Sequence, residues 1–211
     1  MINEYLSQIL PTTASWIEEN LGIKVRRIAR DDQFTSDLAS EAALNAIEKA
    51  GLKKEDIDLI IVATSTPDRV APSTAANVQD KIEAYNAVAF DISSVCSGFL
   101  FGMSVSSQFI PAGVYDNVWV IGADTFSKRT DWTRRDAVFF GDGAGAAVLS
   151  HSNATEGFLA FHLYTDGRGK WNFTVPAGGS EMPASEKTVK KSCIIFKWTE
   201  NLFTKQELKL Y

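Results

Sequence analysis

Two cysteines and two histidines, with a wide scatter of carboxylates, are the residues of this 211-residue chain whose chemistry suits group transfer. Cys96 has the most telling neighbours. It falls in Ser93-Ser94-Val95-Cys96-Ser97-Gly98-Phe99, after an apolar run that ends near Ile92 and before a mostly apolar helical pattern from Gly98 to Ile110. The thiol is therefore expected in a strand-to-helix turn, at the positive end of the following helix. Unpaired N–H groups and the helix dipole favour an anion there, and the thiolate is the reactive form of cysteine. Ser97 and Gly98 are small enough to let a substrate approach the backbone. The same N–H groups suit an oxyanion formed during acyl transfer. Most free cysteines are simply small buried apolar residues, and that reading stands beside the nucleophilic one.

The other candidates are weaker. His151 follows an apolar strand and reads as exposed loop, and His162 sits in a strand-like run and reads as structural. Neither completes a nucleophile–histidine–acid set of the kind a Cys-dependent hydrolase needs. Gly141-Asp142-Gly143-Ala144-Gly145 fits neither G-x-G-x-x-G nor G-x-x-x-x-G-K-S/T, so a tight turn between two strands is expected instead of a phosphate cradle. Basic residues gather at Lys24–Arg30 and at Lys128–Arg135, and both clusters read as solvated faces.

Bulk properties narrow the class. Apolar residues make up 45% and charged residues 22%, as in ordinary soluble domains. The net charge of −5 argues against general nucleic-acid binding. No run approaches the ~18 apolar residues that span a bilayer. The opening Met1-Ile2-Asn3-Glu4-Tyr5 lacks the basic-then-apolar pattern of a signal peptide. Two cysteines do not make a disulfide scaffold, so a reducing, cytoplasmic setting is expected.

The elements that must position Cys96 follow from periodicity. Leu38, Ala42, Ala43, Ala46 and Ile47 recur at helical spacing across Ser36–Ala50, with Ser36 as a plausible cap and Gly51 as a stop. Ile57–Ala63 is a continuous apolar run that suits a strand covered on both faces. A helix opens at Pro72-Ser73 and continues to about Ala84. Ala87–Ile92 reads as another buried strand, Asn117–Gly122 as a third and Ala144–Leu149 as a fourth. Strands alternating with helices over short connections predict a layered α/β/α domain with a mostly parallel mixed sheet. Beyond Leu149 the pattern weakens. Gly157–Tyr164 alternates like a strand, Thr165–Ser192 reads as a loop-rich excursion, and Cys193–Phe196 starts a final apolar stretch with a short helical pattern after it.

Four ordered blocks carry a resemblance. They are Trp16-Ile17-Glu18-Glu19-Asn20-Leu21-Gly22-Ile23 with Arg26-Arg27-Ile28-Ala29, then Asp58–Thr64 with Pro72-Ser73, then Asp91–Phe99 around Cys96, then Phe140–Leu149. Together they resemble β-ketoacyl-acyl-carrier-protein synthase III, a thiolase-fold condensing enzyme. The resemblance implies a thiolase-like N-terminal domain over residues 1–165, with the opening strand absent. Residues 166–211 would be the loop-rich excursion and an incomplete start of a second, similar half.

The resemblance also assigns roles. Cys96 would take an acyl group from acyl-coenzyme A, a substrate and not a cofactor, for condensation with malonyl-acyl-carrier protein in fatty-acid or polyketide initiation. Trp16 would stack on the adenine, with Thr12 nearby and Arg134 on its other side, and Phe140 would line the acyl pocket. An indole and a planar guanidinium suit a purine sandwich. No metal is implied. Asn20 stands where relatives often carry an arginine, and Ala71 replaces a bulkier residue found in some of them, so the acyl donor is not named. The histidine and asparagine that stabilise the enolate in this family come from its C-terminal half, and their Pro-His-Gln-Ala-Asn-like context does not occur here. The chain is thus expected to be a truncated product or a subunit completed by another chain, in a homodimer or mixed complex. A non-catalytic partner that keeps the fold is the alternative.

Overall fold

The computed structural model describes residues 1–152 and 157–198. In chain order the helices are α1 (Asn3–Ile9), α2 (Ala14–Leu21), α3 (Thr35–Ala50), α4 (Thr74–Ile82), α5 (Gly98–Phe109) and α6 (Glu186–Lys190). The strands are β1 (Leu59–Ala63), β2 (Val88–Ile92), β3 (Asn117–Thr125), β4 (Asp142–Ser150), β5 (Phe173–Thr174) and β6 (Lys197–Trp198). Contacts group the chain into two compact units, where the sequence suggests a single division near residue 165. Among the described residues, one unit holds those within 27–126 and 141–163; the other holds those within 1–26, 127–140 and 164–198.

The first unit is built on a four-stranded sheet in the order β2-β1-β3-β4. β1 runs parallel to both β2 and β3, and β4 runs antiparallel to β3, giving the expected mostly parallel mixed sheet. β1 is buried along its whole length because alternate side chains face opposite layers. Ile60 and Val62 pack with Ala39, Ala43 and Ile47 of α3 and with Ala75, Val78 and Ile82 of α4. Leu59 and Ile61 pack on the other face with Val105 and Phe109 of α5. Each such aliphatic side chain removed from water contributes about 1.5–3 kcal/mol, so the three layers are held by the pattern that predicted them.

Several expectations need correction. β2 is an edge strand with its first residue exposed, not a buried one, because among the described residues only β1 pairs with it. Gly143 and Gly145 lie within β4, opposite Asp124 and Gly122, so the glycine block is strand and not turn. Residues without side chains hid that strand from any pattern of alternation. α3 begins before Ser36: the Phe34 N–H donates to Asp37 Oδ2 at 2.7 Å, and the Ser36 N–H donates to Asp68 Oδ1 at 3.0 Å. Gly157–Tyr164 forms no strand among the described residues, since alternation supplies no ladder partner; Leu159 and His162 are exposed there. The helical pattern expected after Phe196 falls largely outside the described residues.

The second unit packs Leu6 of α1, Leu10 just after it and Ile17 of α2 around Ala137 and Val138, with Trp16, Trp132 and Phe139 against them. Arg26 belongs to this core and not to a solvated basic face. It is 4% exposed, donating to Asn3 Oδ1 at 2.8 Å and through Nε to the Val138 carbonyl at 2.7 Å. Burial lowers its pKa from the ordinary arginine value. β5 and β6 pair antiparallel. Among the described residues no helix is long and apolar enough to cross a membrane.

Candidate active site

Cys96 lies in a single 3-10 turn, Val95–Ser97, that runs directly into α5. The strand-to-helix placement expected from sequence is the one observed. The thiol is exposed, as a nucleophile must be and a core cysteine is not. Val95, just before it, has φ 46°, a left-handed conformation that is costly for a β-branched side chain. Such local strain persists only where the surroundings enforce it. Here the strand that leads into the turn is tied to two neighbouring elements. The Thr64 N–H donates to the Ile92 carbonyl at 3.3 Å, and Asp91 accepts the Thr74 and Ala75 N–H groups at 2.7 Å each, anchoring the end of β2 to the start of α4.

Beside Cys96 is an open cavity of about 280 Å³, walled by Ala63, Phe99, Gly122, Asp124 and the Gly143–Gly145 run. A larger groove of about 890 Å³ runs along the far half of α5 and includes His151, but no cysteine lines it. The smaller cavity is the one that Cys96 lines.

Asp124 lines this cavity although no sequence motif marks it. Its Oδ1 accepts the Ser65 N–H at 2.8 Å, the Thr66 hydroxyl at 2.9 Å and the Thr64 hydroxyl at 3.1 Å. Burial pushes its carboxyl up from the ordinary aspartate value, against the pull of those three donors. A polar Thr-Ser-Thr triplet directly after a wholly apolar strand was the available signal, because such a triplet must find partners inside.

Thr12, Trp16, Arg134 and Phe140 all fall in the unit that contains α1 and α2. Trp16 is half-buried on α2, and the Thr12 hydroxyl is buried with no hydrogen-bond partner among the described residues. Arg134 forms an ion pair with Asp136 at 3.0 Å, and it is Arg135, next in sequence, that stands over the Trp16 ring. Phe140 stacks on Phe173 with ring centroids 6.1 Å apart, within an aromatic group that also holds Phe196 and Trp198. Among the described residues, no cluster of His, Cys, Asp and Glu is placed to hold a metal ion.

Residues 90–167, which include Cys96 and β4, match the family described as 3-oxoacyl-(acyl-carrier-protein) synthase III. The chain is 53% identical over 188 residues to the β-ketoacyl-(acyl-carrier-protein) synthase III of Clostridioides difficile, covering 89% of this chain and 57% of that one. It is 51% identical over 193 residues to the enzyme of the same name from Caldanaerobacter subterraneus subsp. tengcongensis, covering 91% and 58%. The crystal structure of the Aquifex aeolicus synthase III superposes with a TM-score of 0.83 at 36% identity, covering 96% of this chain and 61% of that one. Over about nine tenths of its own length the chain is similar to β-ketoacyl-(acyl-carrier-protein) synthase III enzymes. It spans a little under three fifths of the length of the curated synthase III relatives it matches. The thiolase-like α/β architecture is shared with those synthases.

Proposed function

We propose that this chain carries the acyl-accepting part of a synthase III-type condensing enzyme, with Cys96 as the group that is acylated. The observation that supports it most is the exposed Cys96 thiol at the start of α5, beside an open cavity, in a chain similar to synthase III enzymes. The Cys96 sulfur, as thiolate, attacks the carbonyl carbon of an acyl-coenzyme A thioester. The carbonyl oxygen becomes an oxyanion, which N–H groups at the helix start are suited to stabilise. As the carbonyl reforms, the carbon–sulfur bond to coenzyme A breaks, coenzyme A leaves as its thiolate, and the acyl group remains on Cys96.

Condensation with malonyl-acyl-carrier protein requires a second step. Loss of carbon dioxide leaves an enolate carbon that attacks the Cys96 thioester and releases the thiolate. The resemblance assigns enolate stabilisation to a histidine and an asparagine of the C-terminal half. His151 and His162 are both exposed in this chain, and neither is read as that group. Trp16, Thr12 and Arg134 are proposed as the nucleotide end of the acyl-coenzyme A site, and Phe140 as a wall of the acyl pocket. The acyl-carrier protein is the proposed second partner, in a cytoplasmic homodimer or a complex with a completing chain.

Intact-protein mass spectrometry after mixing with acetyl-coenzyme A and longer acyl donors tests this reading. A gain of one acyl group per chain, with coenzyme A released, is expected. No adduct with any donor would overturn it.

A further inference from the structure

Asp124 is the penultimate residue of β3 and shares a sheet face with Gly122, because side chains two apart on a strand point the same way. That face is the one α5 covers: a Cβ added at Gly122 would lie 3.3 Å from the Phe99 ring. Asp124 and Cys96 therefore line one cavity from opposite elements, strand and helix.

The three donors on Asp124 Oδ1 are consecutive, Thr64, Ser65 and Thr66, the first residues after β1. They fix where the chain leaves the sheet. The tie continues inward: the Thr35 hydroxyl donates to the Thr66 carbonyl at 2.6 Å, and the Thr125 N–H donates to the Thr66 hydroxyl at 2.8 Å. Hydrogen bonds that reinforce one another away from water make a segment rigid. Ala63 directly precedes this segment, and α5 starts against it. A Cβ at Gly98 would come within 3.1 Å of the Ala63 Cβ. An unbroken line of contacts thus runs from the Asp124 carboxyl through Thr64–Thr66 and Ala63 to Gly98, two residues beyond Cys96.

We propose that Asp124 is a positioning residue for Cys96, holding the first turn of α5, and with it the thiol, at the angle from which an incoming thioester is attacked. This rests on Cys96 being the acyl acceptor. Misplacing a reacting atom by about 1 Å costs on the order of 100-fold in rate, so a residue that never touches substrate can control the step.

The test compares the wild-type chain with Asp124→Ala, Asp124→Asn, Thr64→Val and Thr66→Val. Two rates are measured for each: acylation of Cys96 across a range of acyl-coenzyme A concentrations, and alkylation of Cys96 by iodoacetamide, which needs no bound donor. Asp124→Ala is expected to lower the maximal acylation rate by about 10- to 100-fold with little change in the half-saturating concentration. Its alkylation rate should stay within about twofold, since the thiol remains exposed. Asp124→Asn, which keeps an acceptor oxygen in place, should restore acylation to within about threefold, and the valine variants should fall between. A wild-type maximal rate in Asp124→Ala overturns the proposal, even if that variant melts at a lower temperature. Should Asp124→Ala not fold, unchanged maximal rates in both valine variants overturn it. Absence of acylation in the wild type itself defeats the underlying assignment of Cys96, a result distinct from either.

Discussion

The guanidinium of Arg135 lies 4.3 Å from the centroid of the Trp16 ring, while its neighbour Arg134 is held by Asp136. One face of the indole is therefore already covered by a cation, a contact worth about 0.5–1 kcal/mol at a partly exposed site. A purine stacking on the opposite face would complete an arginine–tryptophan–base sandwich. Base stacking on an aromatic side chain contributes about 1–3 kcal/mol. Trp16→Ala is accordingly expected to raise the half-saturating acyl-coenzyme A concentration by about 5- to 150-fold with a near-constant maximal acylation rate. The control is a short thioester of N-acetylcysteamine, which has no nucleotide. Its rate of Cys96 acylation should not respond to the substitution, and an equal loss with both donors would remove Trp16 from the nucleotide site.

Cys96→Ser tests the nucleophile directly. The side chain is exposed and contributes little to the core, so the folded chain should melt within about 1 °C of wild type, the change expected of a surface substitution. Acyl loading should nonetheless fall by more than about 100-fold, because a serine hydroxyl without an activating base is a far weaker nucleophile than a thiolate. Peptide mapping after incubation with a radiolabelled donor checks both the loss and the site. Label retained at wild-type level in the serine variant would place the acyl group elsewhere.

Parts of this structure were legible in sequence for identifiable reasons. β1 announced itself because all five residues are apolar and both its faces are covered, and the Cys96 turn because an apolar strand and an apolar helix flank a run of small residues. β4 was legible only from Ala144 on, since glycine has no side chain with which to show alternation. Arg26 was invisible for a different reason. Its partners, Asn3 and the Val138 carbonyl, lie 23 and 112 residues away, and a basic residue among basic residues looks solvated. The contact of Arg135 with Trp16 was equally invisible, because the two residues lie far apart in sequence and meet only in the fold. Gly157–Tyr164 shows the converse, a strand-like pattern without a neighbouring strand among the described residues.

Gly102 sets how closely α5 approaches the sheet. A Cβ there would lie 2.8 Å from Val120 Cγ1, and Val120 is fully buried with no room to retreat. Alanine improves intrinsic helix propensity over glycine by about 1 kcal/mol. Overpacking a tight core costs about 1–3 kcal/mol, so the clash should outweigh the gain. Gly102→Ala is expected to lower the urea midpoint of unfolding. Gly143→Ala, whose added Cβ would meet nothing within 4 Å, should leave it almost unchanged. A Gly102→Ala chain as stable as wild type would mean that α5 relieves the clash at a cost no greater than the helix-propensity gain of about 1 kcal/mol.

The Asp124 carboxyl gives a pH signature of its own. Burial raises its pKa above the ordinary 3.8, outweighing the opposing hydrogen bonds from Ser65, Thr66 and Thr64. The folded chain therefore keeps this proton to a higher pH than the unfolded chain does. The associated stability is fully present below 3.8 and is lost as pH rises through the folded value. Asp131 acts in the opposite sense. The hydroxyl of Thr133 lowers its pKa, so its contribution is present above the ordinary value and disappears on acidification. Both act in the wild type, but Asp124→Asn removes only the first. The difference in unfolding free energy, wild type minus Asp124→Asn, should decline with rising pH from just above 3.8 and level off once Asp124 is ionised in the folded chain. Urea unfolding of both proteins at closely spaced pH values reads this directly. A difference that stays flat across that window would show that Asp124 ionises in the fold as freely as in the open chain, and that its burial does not raise its pKa.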